Sequence, residues 1–116
     1  MKQYLCVFTG AAEAMAAWQA LTGDEQARRR TQGVAVWKDW ATTHASKIVE
    51  PGGPLGKTKL VSPSGIRDIR NNLAAFVIVE AESQEAAARL FIQHPHFTIL
   101  PGAGVEIMEV LPVPAG

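Results

Sequence analysis

Polar and apolar positions alternate irregularly along this chain, but they divide it into recognisable pieces. Tyr4-Leu5-Cys6-Val7-Phe8 is short, aromatic and β-branched, and closed by Thr9-Gly10, so it predicts a strand. Alanine-rich sequence from Ala11 to Leu21, carrying Met15 and Trp18, predicts a short helix that stops near Gly23. Asp24 is placed to cap a second helix running to about Ala45. Its apolar stripe is Val36, Trp37, Trp40, Ala41 and His44, with a break expected at Gly33. Lys47 to Glu50 predicts a second strand, ended by the loop Pro51-Gly52-Gly53-Pro54. Lys57 to Val61 alternates as a strand or hairpin arm, and Ser62-Pro63-Ser64-Gly65 is a turn.

The clearest strand signal is Ala75-Phe76-Val77-Ile78-Val79, apolar throughout and therefore expected to be covered on both faces. A helix from Ser83 to His94 follows, with Ala87, Leu90, Phe91 and His94 inward and Pro95 as its stop. His94 is expected at that helix's C-terminal carbonyls. The closing strand, Val105 to Val110, sets Val105 and Ile107 on one face and Met108 and Val110 on the other. The order β-α-(β,β)-β-α-β is the ferredoxin-like split βαβ pattern of an α+β domain. Such a domain leaves one sheet face bare. The unbroken apolar strand argues for a second copy over that face, with Val77 and Val110 in the interface and a homodimer as the assembly.

Composition narrows the function classes. The chain has 116 residues, 47% apolar and 19% charged, the size and make-up of one globular domain. Eleven basic side chains balance eleven acidic ones, which argues against non-specific nucleic-acid binding. Charge is nonetheless segregated. Residues 47–70 carry five basic against two acidic side chains, a net +3, and residues 80–109 carry five acidic against one basic, a net −4. Cys6 is the lone cysteine, so no internal disulfide forms. With no secretory leader or membrane-length apolar run, the expected location is the cytoplasm, with no membrane partner.

Gly52 to Thr58 superficially matches a phosphate-binding loop. Pro51 occupies the position of the required first glycine and no helix follows, so nucleotide binding is not expected. His94-Pro95-His96 lacks metal-ligand spacing, and neither a metal nor a cofactor is expected. The candidate ligand-binding residues are Trp37 and Trp40 as an aromatic wall, with Lys57, Lys59 and Arg70 as anion clamps. His44 on the same stripe is the candidate catalytic acid or base. Together they describe one cleft for a small anionic or aromatic compound, with the stripe facing the basic loop.

Gly53-Pro54-Leu55-Gly56-Lys57-Thr58-Lys59 resembles the Gly-Pro-Phe-x-x-Thr-Lys stretch of the DGPF group. Phe76 to Glu80, the Ser83 to His94 helix, His94-Pro95-His96 and Val105 to Val110 resemble the C-terminal half of YCII-related proteins. The resemblance covers nearly the whole chain and implies one YCII-related ferredoxin-like domain over residues 1–116, assembling as a dimeric α/β barrel. A His-Asp pair is proposed as catalytic in some members, and a dehydrochlorinase is among them. Here the corresponding places hold Val36-Trp37 and about Ala45, with His44 and Asp39 the substitute pair, so lyase chemistry does not carry over directly. Two readings follow. One is a homodimeric small-molecule-binding domain or cofactor-free enzyme, the other a non-catalytic dimerisation or ligand-sensing module.

Overall fold

The computed structural model describes residues 1–114. Four strands form an antiparallel sheet in the order β2-β5-β1-β6, built from β1 (Lys2–Gly10), β2 (Ile48–Pro54), β5 (Leu73–Ala81) and β6 (Gly102–Glu109). Between β1 and β2 run α1 (Ala12–Gln19) and the long α2 (Gly23–Thr43); after β5 come the short α3 (Gln84–Arg89) and α4 (Pro95–Thr98). This is the ferredoxin-like α+β arrangement that the element order predicts, with a second, two-stranded sheet of β3 (Thr58–Ser62) and β4 (Gly65–Ile69). Among the described residues, no helix is long and apolar enough to cross a membrane.

The core lies on one face of the sheet. Tyr4, Cys6 and Phe8 from β1 and Ala75, Val77, Val79 and Ala81 from β5 are buried there, joined by Ala87 of α3 and by Phe91 just after it. Burial pushes the Cys6 thiol up to about 12, so it stays a protonated, inert packing group. On the opposite face Leu5, Val7, Phe76 and Ile78 are only half-buried. The continuous apolar run in β5 is therefore covered on one face by its own helices and left partly open on the other. Val77 points into the core, 3% exposed, which corrects its expected position on the bare face; Phe76 and Ile78 are the β5 residues that lie there.

Several boundaries differ from expectation for local reasons. Thr22, rather than Asp24, caps α2: its hydroxyl accepts the Glu25 N–H at 3.1 Å. Gly33 does not break α2. A Cβ there would sit 2.7 Å from Leu100 Cδ2, so the glycine is where the helix presses against the chain before β6. Pro51 does not end β2. The strand is at the sheet edge, needs donors on one side only, and reaches Pro54 through two register shifts. Gly52, at φ 61, lets β2 lie against β5, since a Cβ there would run into the Phe76 carbonyl oxygen.

The expected Ser83 to His94 helix stops at Arg89, although Ser83 caps it as expected by accepting the Ala86 N–H. The chain then turns through Gln93 at φ 60, and Pro95 begins a helix instead of ending one.

The strand β4 was not expected. It completes a hairpin in which, among the described residues, β3 pairs with β4 alone, and Val61 and Ile66 near its turn are 73% and 70% exposed. The radius of gyration is 16.1 Å, against about 13 Å for a compact domain of this length. This hairpin is an arm that leaves the body of the fold.

Candidate functional site

The site grows from the last three turns of α2. Trp37, Trp40 and His44 recur at helical spacing and turn toward β1, β5 and the segment after α3. Trp37 packs on Phe8 with ring centroids 4.7 Å apart, and Trp40 packs on Phe91 at 5.1 Å. The Trp40 indole N–H donates to the Leu90 carbonyl at 2.8 Å. Leu90 is the cap residue of α3, so the indole satisfies a carbonyl at a helix end and ties α2 to α3.

Beside these indoles, α2 and the irregular β2 edge enclose an apolar cleft of about 370 Å³. Trp37 and Trp40 form one wall; Pro51 and Pro54 are among the residues of the other. Lys38 is the one charged side chain along it. That volume lies within the range of small-molecule sites, ~300–1,000 Å³.

Directly behind the indole wall is His94, 1% exposed. It stands before α4, where its Nδ1 accepts the backbone N–H of His96 at 3.0 Å. This corrects its expected place at a helix C-terminus. Because residues before proline favour extended backbone, His94 adopts φ −60, ψ 143 and caps the helix that Pro95 opens. With Nδ1 serving as an acceptor, the neutral ring carries its proton on Nε2. That Nε2 is buried and has no hydrogen-bond partner among the described residues. The imidazole meets Trp37 edge to face at 4.5 Å and 90°, and Trp40 at 4.7 Å and 72°.

Burial lowers the His94 pKa to about 4, with the neighbouring His96 and His44 adding to the shift. The His96 pKa is lowered by burial too, partly opposed by the carbonyls of Thr9 and Gly104. Its Nε2 lies 2.8 Å from the Thr9 carbonyl and acts as a donor to it. Both imidazoles are therefore neutral at pH 7.

The remaining sequence candidates do not converge on the indoles. His44, half-buried at the C-cap of α2, touches Trp40 at 5.1 Å but does not line the indole cleft. Asp39, its candidate partner, is exposed. Lys57, Lys59 and Arg70 are exposed along a separate, open cleft of about 920 Å³ on the hairpin arm, which shares no lining residue with the indole cleft. Lys59 there pairs with Asp68 across the hairpin at 2.7 Å. The single expected cleft is thus two, because β3 and β4 carry the basic residues away from α2. Sequence reasoning also missed Lys38, which is off the apolar stripe, and the special position of His94, for which His-Pro at a helix start was the available signal. Among the described residues, no group of three or more His, Cys, Asp or Glu side chains is arranged to hold a metal.

The histidines set a pH dependence. Between pH ~6.5, the ordinary histidine value, and ~4, unfolding exposes His94 to a proton that the native ring refuses, so stability falls as pH drops through this window. The loss between pH 7.5 and pH 5 is on the order of 2 kcal/mol from His94, with His96 adding in the same direction. Urea unfolding at the two pH values checks this: His94→Asn should show a shallower dependence than the wild type, and equal slopes would contradict the assignment.

A scan against protein-family models finds no match, and neither does a search of curated proteins. Among solved structures, the chain is similar to 5-chloro-2-hydroxyhydroquinone dehydrochlorinase (TftG) from Burkholderia phenoliruptrix AC1100, in complex with 2,5-dihydroxybenzoquinone. The TM-score is 0.53 at 19% identity, covering 90% of this chain and 89% of that one, a likeness that extends over nearly the whole of both chains and shows a shared fold.

Proposed function

We propose that this chain is a homodimeric small-molecule-binding domain of the YCII-related, DGPF type, and that it takes a small planar aromatic compound in the cleft between α2 and the β2 edge. The observation that carries this reading is the cleft itself: two indoles opposite Pro51 and Pro54, apolar except for Lys38. Flat rings fill such a slot by stacking, and a carboxylate or phenolate on the ring is drawn to the lysine at its side. The shared fold with a dehydrochlorinase whose complex holds 2,5-dihydroxybenzoquinone supports this choice of ligand class by analogy.

Binding is favoured over turnover. His44, the expected acid or base, does not line the cleft, and the nearest buried imidazole is held neutral behind the indoles. On this reading residues 1–116 act as one cytoplasmic domain without a cofactor. Lys57, Lys59 and Arg70 form a second, anion-attracting patch on the arm.

Support for the dimer comes from the bare sheet face. Leu5, Val7, Phe76 and Ile78 form a half-exposed apolar surface, extended by Met108 at 42% exposure. A second copy of the same face covers it by a two-fold operation and closes the barrel that the family resemblance implies. Analytical ultracentrifugation at micromolar concentration should give twice the chain mass. Ile78→Asp, which charges this face without entering the core, should give monomer or aggregate; a monodisperse wild-type monomer would overturn the assembly.

Ligand binding is read from indole emission. Titration with 2,5-dihydroxybenzoquinone should saturably quench tryptophan fluorescence, and Trp37→Phe should weaken the affinity several-fold. Lys57→Ala should leave it unchanged, because Lys57 lines the other cleft. Quenching that does not saturate, or that depends on Lys57 and not on Trp37, would contradict the assignment.

A further inference from the structure

His94 Nε2 is a buried donor without an acceptor, in a fold that otherwise pairs its buried side-chain polar atoms among the described residues. Such an atom calls for a reason. Its tautomer is not free to change, because the His96 N–H occupies Nδ1 and commits the proton to Nε2. Both indoles that touch its ring also line the cleft. The ring is thus one side chain behind the cleft surface, with a fixed donor and, among the described residues, no group to receive it.

We propose that His94 Nε2–H is the polar anchor of the indole cleft and donates a hydrogen bond to an acceptor oxygen on the bound ring, a phenolate or quinone oxygen. This rests on the reading of the cleft as a binding site. Of the two indoles between the ring and the cleft, Trp37 is the one whose tilt would admit the oxygen while its face still lines the slot. Trp40 is fixed by its bond to Leu90, whereas Trp37 is held by its ring contacts with Phe8, His94 and His96. The neutral state of His94 at pH 7 suits the role: a neutral imidazole with a fixed N–H donates without the cost of burying a charge. The anchor predicts what an apolar slot alone does not, a preference for oxygenated rings over hydrocarbons of equal shape.

Two substitutions separate anchoring from helix capping. His94→Asn keeps an acceptor near Nδ1 to cap α4 and loses the Nε2 donor. His94→Gln keeps a donor near Nε2 and loses the cap. Calorimetric titration at pH 7.5 of wild type and both variants uses 2,5-dihydroxybenzoquinone and p-xylene, a ring without an oxygen acceptor. Anchoring predicts that His94→Asn loses about tenfold or more in quinone affinity with p-xylene affinity unchanged, and that His94→Gln retains most of the quinone affinity. A capping role alone predicts the reverse order, with His94→Asn behaving as wild type, and that result overturns the anchor while leaving the cleft standing. Binding of neither compound by the wild type removes the cleft reading and the anchor with it. Should the variants fail to fold, nitrogen NMR of the wild-type imidazole decides. The Nε2 resonance moves downfield with the quinone and not with p-xylene if the anchor is right, and an unmoved resonance overturns it.

Discussion

Phe8, wholly buried on the central strand β1, is the point through which the layers of this fold are joined. Trp37 from α2, Phe91 after α3, and His94 and His96 at the start of α4 all bring their rings to within 4.7 to 5.7 Å of it. Rings from separate segments that share one neighbour must be placed together, so the position of α2 over the sheet and the path from α3 to β6 are coupled. The tilted and edge-to-face contacts are the arrangements that aromatic quadrupoles favour. Two polar ties complete the joint: the Trp40 N–H to Leu90 and the His96 imidazole to Thr9. The cleft is a by-product of this convergence, since the same indoles that reach Phe8 and Phe91 leave their outer surfaces toward the β2 edge.

Much of this was legible in the sequence. Strand and helix order followed from periodicity, and the Trp37, Trp40 and His44 stripe named the face of α2 that turns inward. What escaped was tertiary. Gly33 reads as a break by propensity, yet the close approach of Leu100 makes glycine the residue that fits within an unbroken helix. Pro51 and Gly52 read as loop because a strand is assumed to need donors on both sides, which an edge strand does not. The basic residues of the Gly-Pro-Leu stretch read as facing the aromatic stripe, while the hairpin of β3 and β4 takes them to a separate cleft. Which way His94 faces could not be read from composition. A proline after it was seen as a stop for one helix, and it is also a start for the next.

The site combines an apolar slot, a lysine at its side and a neutral imidazole behind it. Each by itself has a bland explanation in packing or solubility. Their conjunction is what distinguishes the cleft from an ordinary packing defect, because a defect need not place a fixed, unsatisfied donor behind a wall of two indoles. The basic arm is a different kind of surface, an open cleft along which Lys57, Lys59 and Arg70 stand with Asp68. Its Lys59–Asp68 pair is well exposed and contributes little to stability.

The central claim is that ligand enters between α2 and the β2 edge and not along the arm. A two-dimensional amide and indole spectrum, recorded with increasing 2,5-dihydroxybenzoquinone, tests it residue by residue. The account predicts that the Trp37 and Trp40 indole signals and the Gly53, Phe76 and Val77 amides shift together along one saturating curve, with Lys57 to Arg70 unmoved. Shifts confined to the arm, or none at saturating concentration, would contradict it.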